Sequence, residues 1–134
     1  MTYLTKEQYL DIVNHAKSEY PKEACGILAG VEGKISKVYK MVSTSESPET
    51  CYFMKPEEQL KVFKEMRQSG TEMLGIYHSH PQSFAYPSQR DCEMAFYPEA
   101  DYVIISLKDI NNPEVRAFKI IEGKINEERI EVEK

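Results

Sequence analysis

The chain has 134 residues, 41% of them hydrophobic and 29% charged, with a formal net charge of -5. That length supports one core without staples, the balance is that of an ordinary globular domain, and the negative charge argues against nucleic acid, whose affinity rests on Lys and Arg contacts to phosphate. The three cysteines, Cys25, Cys51 and Cys92, are odd in number and form no C-x-x-C pair. They therefore suggest neither a disulfide framework nor a cysteine-based zinc site. No apolar stretch follows Met1–Lys6 as a secretory signal would require. No run approaches the roughly 18 apolar residues of a membrane span. The expected location is cytoplasmic.

Thr5-Lys6-Glu7-Gln8 reads as a capping box, with Leu4 and Tyr9 at the staple positions. Tyr9, Ile12, Val13, Ala16 and Tyr20 follow at helical spacing, predicting a helix from about Lys6 to Glu19 that stops before Pro21. His15 lies off this stripe and is expected to be a solvated surface residue. Glu23–Gly30 is a short apolar run, read as a buried strand. Glu32-Gly33 is a hairpin turn, and Ile35, Val38 and Tyr39 continue as a second strand. Ser43–Thr50 is a polar loop, and Cys51-Tyr52-Phe53 a candidate short strand. Pro56 opens a second helix with Leu60, Val62, Phe63 and Met66 on its apolar face and Gly70 at its end.

Glu72–Tyr77 is a buried strand that runs into His78. Ser88 to about Phe96 reads as a short helix, and Tyr102–Leu107 as a strand. Asn111-Asn112-Pro113 is a turn. Val115, Ala117, Lys119 and Ile121 then share one face of a strand, with Phe118 and Ile120 on the other. Lys124–Val132 is expected to be a last edge strand with a charged tail. Strands interspersed with helices, several of them in direct succession, predict a mixed α/β architecture. A single curved, partly antiparallel sheet would be flanked by helices, in one domain over residues 1–134.

The chemistry concentrates in His78-Ser79-His80-Pro81. In an extended strand, residues i and i+2 point to the same side. The two imidazoles can therefore converge on one ion while Ser79 faces away. Pro81 ends the strand, having no N–H for the ladder. Ser88 and Asp91 stand at i and i+3, on one side of a first helical turn. Asp91 can then complete a His, His, Asp set around zinc, with a fourth position left for water. Ser88-x-x-Asp91 is equally an ordinary capping box, and the two readings are compatible. Ser88 could both cap the helix and aim its hydroxyl at a developing oxyanion. A zinc hydrolase also needs a proton shuttle that is not a ligand. Glu23, at the entrance of a buried apolar strand, is the best placed acid, since desolvation would raise its pKa. The alternative for Glu23 is a surface residue after Pro21-Lys22.

Glu23, Gly26–Gly30, His78-Ser79-His80-Pro81, Pro87-Ser88 and Asp91 together resemble the signature of the JAMM (MPN+) metalloproteases. Seven residues, Pro81 to Pro87, separate His80 from Ser88, as that pattern asks. The resemblance implies an MPN/JAB1 fold of cytidine-deaminase-like architecture and a zinc-dependent hydrolase of amide or isopeptide bonds. It further implies that His78, His80 and Asp91 hold one Zn2+, that Glu23 moves the proton and that Ser88 stabilises the oxyanion; Ser79 matches a motif position without a clear chemical task. The chain is similar to the short prokaryotic members, some of which act on small ubiquitin-like sulfur carriers ending in Gly-Gly, including carriers bearing a newly made cysteine. A tail without bulky side chains suits a tight groove, for which Gln82–Tyr86 and Ser43–Phe53 are the expected walls. Lysine-linked conjugates, or a noncatalytic module in which zinc only organises a loop, are the alternatives. A nucleoside deaminase would need H-x-E with P-C-x-x-C, and this chain has neither. Edge strands leave homodimer formation open. Cys25 reads as a buried structural thiol. Cys92 cannot share a helix face with Asp91. Tyr77, Tyr86, Tyr97 and Tyr102 read as core or groove lining.

Overall fold

The computed structural model describes residues 1–133 and shows a mixed α/β fold in which an eight-stranded sheet carries helices on its faces. Helix α1 (Lys6–Glu19) begins where expected. The Thr5 hydroxyl accepts from Gln8 N at 3.1 Å, and Gln8 Oε1 accepts from Thr5 N at 3.0 Å. Strands β2 (Cys25–Val31) and β3 (Lys34–Met41) form the hairpin at Glu32-Gly33, both residues at positive φ. That backbone twist matches the flanking strands. Helix α2 (Pro56–Ser69) ends at left-handed Gly70. Strand β4 (Glu72–His80) lies between β2, antiparallel, and β5 (Asp101–Ser106), parallel. Short helix α3 (Gln89–Glu93) connects the last two.

Strand β1 (Thr2–Thr5) was not foreseen in the sequence; it pairs with β3. The C-terminal segment also departs from expectation. Instead of one edge strand it forms β7 (Lys124–Glu128), paired with β6 (Glu114–Ile121), and β8 (Ile130–Glu133), paired with β1. The sheet order is β7-β6-β5-β4-β2-β3-β1-β8. Its two end strands are thus separated in the chain by Arg129 alone, so the sheet must curl until its ends nearly meet. Thr2 N donating to Arg129 O at 3.0 Å marks the join.

Alternation along the strands makes two cores. One face buries Ile27, Ile76, Ile104 and Phe118 under α2 residues Val62 and Met66. The other buries Leu28, Tyr77, Val103 and Ile105 under α1 residues Ile12, Val13 and Ala16. Three expectations fail here. Leu60 is 72% exposed, because it stands about 200° around the helix from Val62. Cys51-Tyr52-Phe53 forms no strand, only an isolated bridge between Ser43 and Met54. The helix after Ser88 stops at Glu93 rather than near Phe96.

His15 is the clearest correction. It is 9% exposed, and its Nδ1 lies 2.6 Å from the Tyr77 hydroxyl. Gly26 permits this. A Cβ there would stand 2.1 Å from the Tyr77 ring, so the bare glycine lets the ring cross β2 and reach α1.

Candidate metal centre and active site

Period-two geometry delivers the two histidines. His78 and His80 end the central strand β4, opposite Cys25, Ile104 and Ser106. They are 1% and 4% exposed. Their Nε2 atoms are 3.1 Å apart. Asp91 Oδ2 lies 3.2 Å from His78 Nε2 and 3.0 Å from His80 Nε2. Three donor atoms bound about 2 Å from one ion in tetrahedral directions stand about 3.3 Å apart. The His78, His80 and Asp91 set therefore fits a single small cation with a remaining open direction.

The capping box and the ligand reading coincide at α3. Ser88 Oγ accepts from Asp91 N at 3.0 Å, and Asp91 Oδ2 accepts from Ser88 N at 2.9 Å. The cap uses a lone pair of the Ser88 hydroxyl and leaves its proton free to donate. Burial alone would push the Asp91 carboxyl up. The His78 charge and the hydrogen bonds from both imidazoles and Ser88 N outweigh it, holding the group well below the usual carboxylate range.

Glu23 has the opposite surroundings. It is 6% exposed, and its Oε1 has no hydrogen-bond partner among the described residues. Burial pushes its carboxyl up to about 8, with the His80 charge opposing and the Asp91 charge adding. The β2 ladder stops short of it because Ala24 N donates to Ser79 Oγ at 2.7 Å and Glu23 N donates to Pro48 O at 2.6 Å. Ser79, pointing away from the two imidazoles, thus ties β4 to the residue next to Glu23.

Three neighbours were not legible in the sequence pattern. Phe84 O lies 2.8 Å from His80 Nδ1, a contact that fixes the orientation of the ring and leaves its Nε2 facing the donor set. His78 Nδ1 has no such partner among the described residues; instead Tyr52 stacks on that ring, centroids 4.6 Å apart. Ser106 Oγ donates to Ser83 O at 2.6 Å and anchors the intervening loop. A 300 Å³ cavity opens beside these groups, lined by Glu23, Thr50, His80, Gln82, Ser83 and Ser88. It takes residues from both segments expected to form walls. Cys25 is fully buried, its thiol pushed up to about 12 by burial, and so is inert. Cys92 lies outside the ligand set. Tyr77 and Tyr102 are core, Tyr97 packs against the core, and Tyr86 is 50% exposed.

The family described as prokaryotic homologs of the JAB domain matches residues 5–121. The chain belongs to the prokaryotic JAB family. Within it, the chain is 39% identical over 128 residues to the CysO-cysteine peptidase of Mycobacterium tuberculosis, covering 91% of this chain and 87% of that one. It is 32% identical over 101 residues to the desampylase of Haloferax volcanii, covering 71% and 73%. A solution structure from Desulfitobacterium hafniense superposes with a TM-score of 0.88 at 38% identity, over 99% of this chain and 93% of that one. A JAB1/MPN domain protein from Archaeoglobus fulgidus shares the fold at a TM-score of 0.63 and 19% identity, over the whole of both chains. The JAB fold and the mixed α/β architecture anticipated from the sequence are therefore those of the molecule.

Proposed function

We propose that this JAB-family protein, as a single domain over residues 1–134, is a zinc metallopeptidase. It would cleave the amide bond after the Gly-Gly C-terminus of a small ubiquitin-like or sulfur-carrier protein, for example releasing cysteine from a carrier adduct. The observation that carries this is the pairing of a convergent His78, His80 and Asp91 donor set with a desolvated, unpartnered Glu23 carboxyl. The peptidase named for a CysO-cysteine substrate, at 39% identity, supports the choice of carrier.

His78, His80 and Asp91 would hold one Zn2+. Zinc bound there supplies Lewis acidity, lowering the pKa of a water toward about 7 and polarising a carbonyl. Glu23 accepts a proton from the attacking water and hands it to the leaving amine, a transfer for which a carboxyl held near neutrality is suited. The Ser88 hydroxyl donates to the oxyanion that forms as water adds to the carbonyl carbon. Phe84 O and Tyr52 keep the two rings aimed. A Gly-Gly tail would suit the cleft lined by Gln82, Ser83 and Thr50, because it brings no bulky side chains into it.

The second reading is a deconjugating isopeptidase for modifiers on lysine, favoured by the desampylase relative. A cytoplasmic location belongs to the same proposal: the free thiols of Cys25, Cys51 and Cys92 suit a reducing compartment, and no helix among the described residues is long and apolar enough to cross a membrane. Pairing of two copies along an end strand of the sheet would appear in sedimentation.

The deciding experiment is mass-spectrometric cleavage by zinc-loaded protein of two Gly-Gly-ended carriers, one bearing C-terminal cysteine and one an isopeptide-linked lysine. Cleavage of the first, lost in Glu23→Gln with zinc retained, is the expected result. Cleavage of the second alone would make the protein a deconjugase. Cleavage of neither, with zinc in place, would leave only a zinc-organised binding module.

A further inference from the structure

Glu23 lines two cavities. The metal-side cavity holds His80, Ser88, Glu49 and hydroxyls, and among the described residues no Lys or Arg lines it. The second, of 390 Å³, shares Glu23 with it and is otherwise lined by Lys22, Lys40, His15, Glu19, Ser43 and Ser45 among others. Its volume is at the small end of ligand pockets, which run about 300–1,000 Å³. Its inner part is built from a fixed polar group. His15 is more than nine-tenths buried, and Tyr77 engages its Nδ1. The polar atom that His15 can offer the cavity is Nε2. Burial holds the imidazole below its ordinary pKa, with Glu19 opposing and Lys40 adding. The ring is therefore neutral at neutral pH, while both charged groups stand close enough to act on it.

An amide hydrolase must house both halves of its substrate. The acyl half is fixed by the metal ligands and Ser88, on one side of Glu23. The amine half leaves bonded to the nitrogen that receives the proton from Glu23, so its substituents extend from that carboxylate. Glu23 is also part of the lining of the cavity with the lysines.

We propose that this second cavity is the leaving-group pocket and that it takes a free α-amino acid, amine at Glu23 and carboxylate at Lys22 and Lys40. The inference rests on the hydrolase reading and narrows it. In the step it serves, the water oxygen joins the carbonyl carbon and the C–N bond breaks. One water proton passes through Glu23 to the nitrogen, and the products are a carrier carboxylate and an uncapped amino acid. A small zwitterion matches a site that sets the Glu23 carboxylate against the Lys22 and Lys40 ammonium groups, with Glu19 the second carboxylate of the lining. A lysine side chain of a folded protein brings its ζ-nitrogen to Glu23 but no carboxylate to the lysines. The pocket therefore selects for small carboxylate-bearing leaving groups over isopeptides.

The test compares two substrates differing at one group: a Gly-Gly carrier extended by cysteine with a free α-carboxylate, and the same carrier ending in cysteinamide. Zinc-loaded wild type should prefer the carboxylate by about 10-fold or more in kcat/KM, the scale of one charge-assisted hydrogen bond. In the double variant Lys22→Met/Lys40→Met the carboxylate-to-carboxamide ratio should fall to about one, chiefly through KM. An unchanged ratio overturns the proposal while Glu23-dependent cleavage leaves the hydrolase reading standing. If neither substrate is cleaved, binding decides. Free L-cysteine added to metal-free protein should shift the His15 ring resonances, cysteinamide should not, and the double variant should abolish the shift. No shift with L-cysteine overturns the pocket assignment.

Discussion

Two carboxylates share this site and are treated in opposite ways. Asp91 sits at the start of α3, where a backbone N–H and two imidazoles surround Oδ2. Glu23 sits at the ragged entrance of β2, where Oε1 meets nothing polar among the described residues. Both are largely buried, yet one is held below the usual range and the other is pushed up to about 8. Titratable groups driven apart by their surroundings mark separate roles. The satisfied, anionic one is suited to hold a cation, and the desolvated one to carry a proton.

Glu23→Gln is the sharpest way to break that comparison. The amide cannot carry a proton, so cleavage should fall about 10²- to 10⁴-fold, while metal content by mass spectrometry stays at wild-type level. Loss of metal from this variant would mean that Glu23 is a ligand and that the two carboxylates are not distinct. Asp91→Asn should do the reverse. Metal affinity, measured by chelator competition, should drop more than about 100-fold, beyond what even outer-shell changes cause. The fold should survive, because Ser88 Oγ still accepts from the residue-91 N–H. Unfolding of this variant at room temperature would contradict the assignment.

What the sequence made legible were features set by local geometry. H-x-H in a strand gives two side chains on one side, and Ser88-x-x-Asp91 gives one helical turn; neither needs the rest of the fold. The expected mixed α/β sheet followed from the same periodicities. Placing Leu60 on the apolar face goes against local helical spacing alone; the more consequential misreadings depend on parts distant in the chain. His15 is buried because Gly26, 11 positions on, leaves room for the Tyr77 ring. Tyr52 reaches His78 from a loop with no period to read. Glu122-Gly123 repeats the Glu32-Gly33 turn with closely matching positive φ values, but it joins β6 to β7; the break that divides the C-terminal segment falls at Arg129, where no turn residues mark it. That β7 and β8 flank opposite ends of the sheet could not be read locally, since closure depends on β1.

The contrast between the carboxylates should also appear in stability, measured on metal-free protein by urea unfolding across pH. An acid whose folded pKa lies above its unfolded value takes up a proton on folding, so its burial costs nothing below the unfolded pKa of about 4.5 and a growing amount as pH rises toward about 8. Glu23→Gln should therefore be more stable than wild type at pH 8, by on the order of 2 kcal/mol, with the gap closing below pH 5. For Asp91 the sign is opposite. Its depressed folded pKa contributes stability that is full above the unfolded value of about 3.8 and is lost as pH falls through that value and below. Asp91→Asn should therefore be less stable than wild type at neutral pH, with the deficit shrinking in acid. Equal pH profiles for the two variants would erase the distinction.

The smallest effect concerns how the rings are held. His80 is aimed by a carbonyl and His78 by a stacked ring, so the two should respond to different losses. Stacking of this kind contributes about 0.5–1.5 kcal/mol beyond buried area. Tyr52→Leu should then weaken metal affinity about 3- to 10-fold in the same chelator competition. Tyr52→Phe should keep the affinity, since the face of the ring does the stacking. Burial holds the Tyr52 hydroxyl well above its ordinary pKa, so wild type and the Phe variant carry the same charge there. If Phe lost as much as Leu, the hydroxyl rather than the ring would be positioning His78. The two histidines would then be held by polar contacts alike.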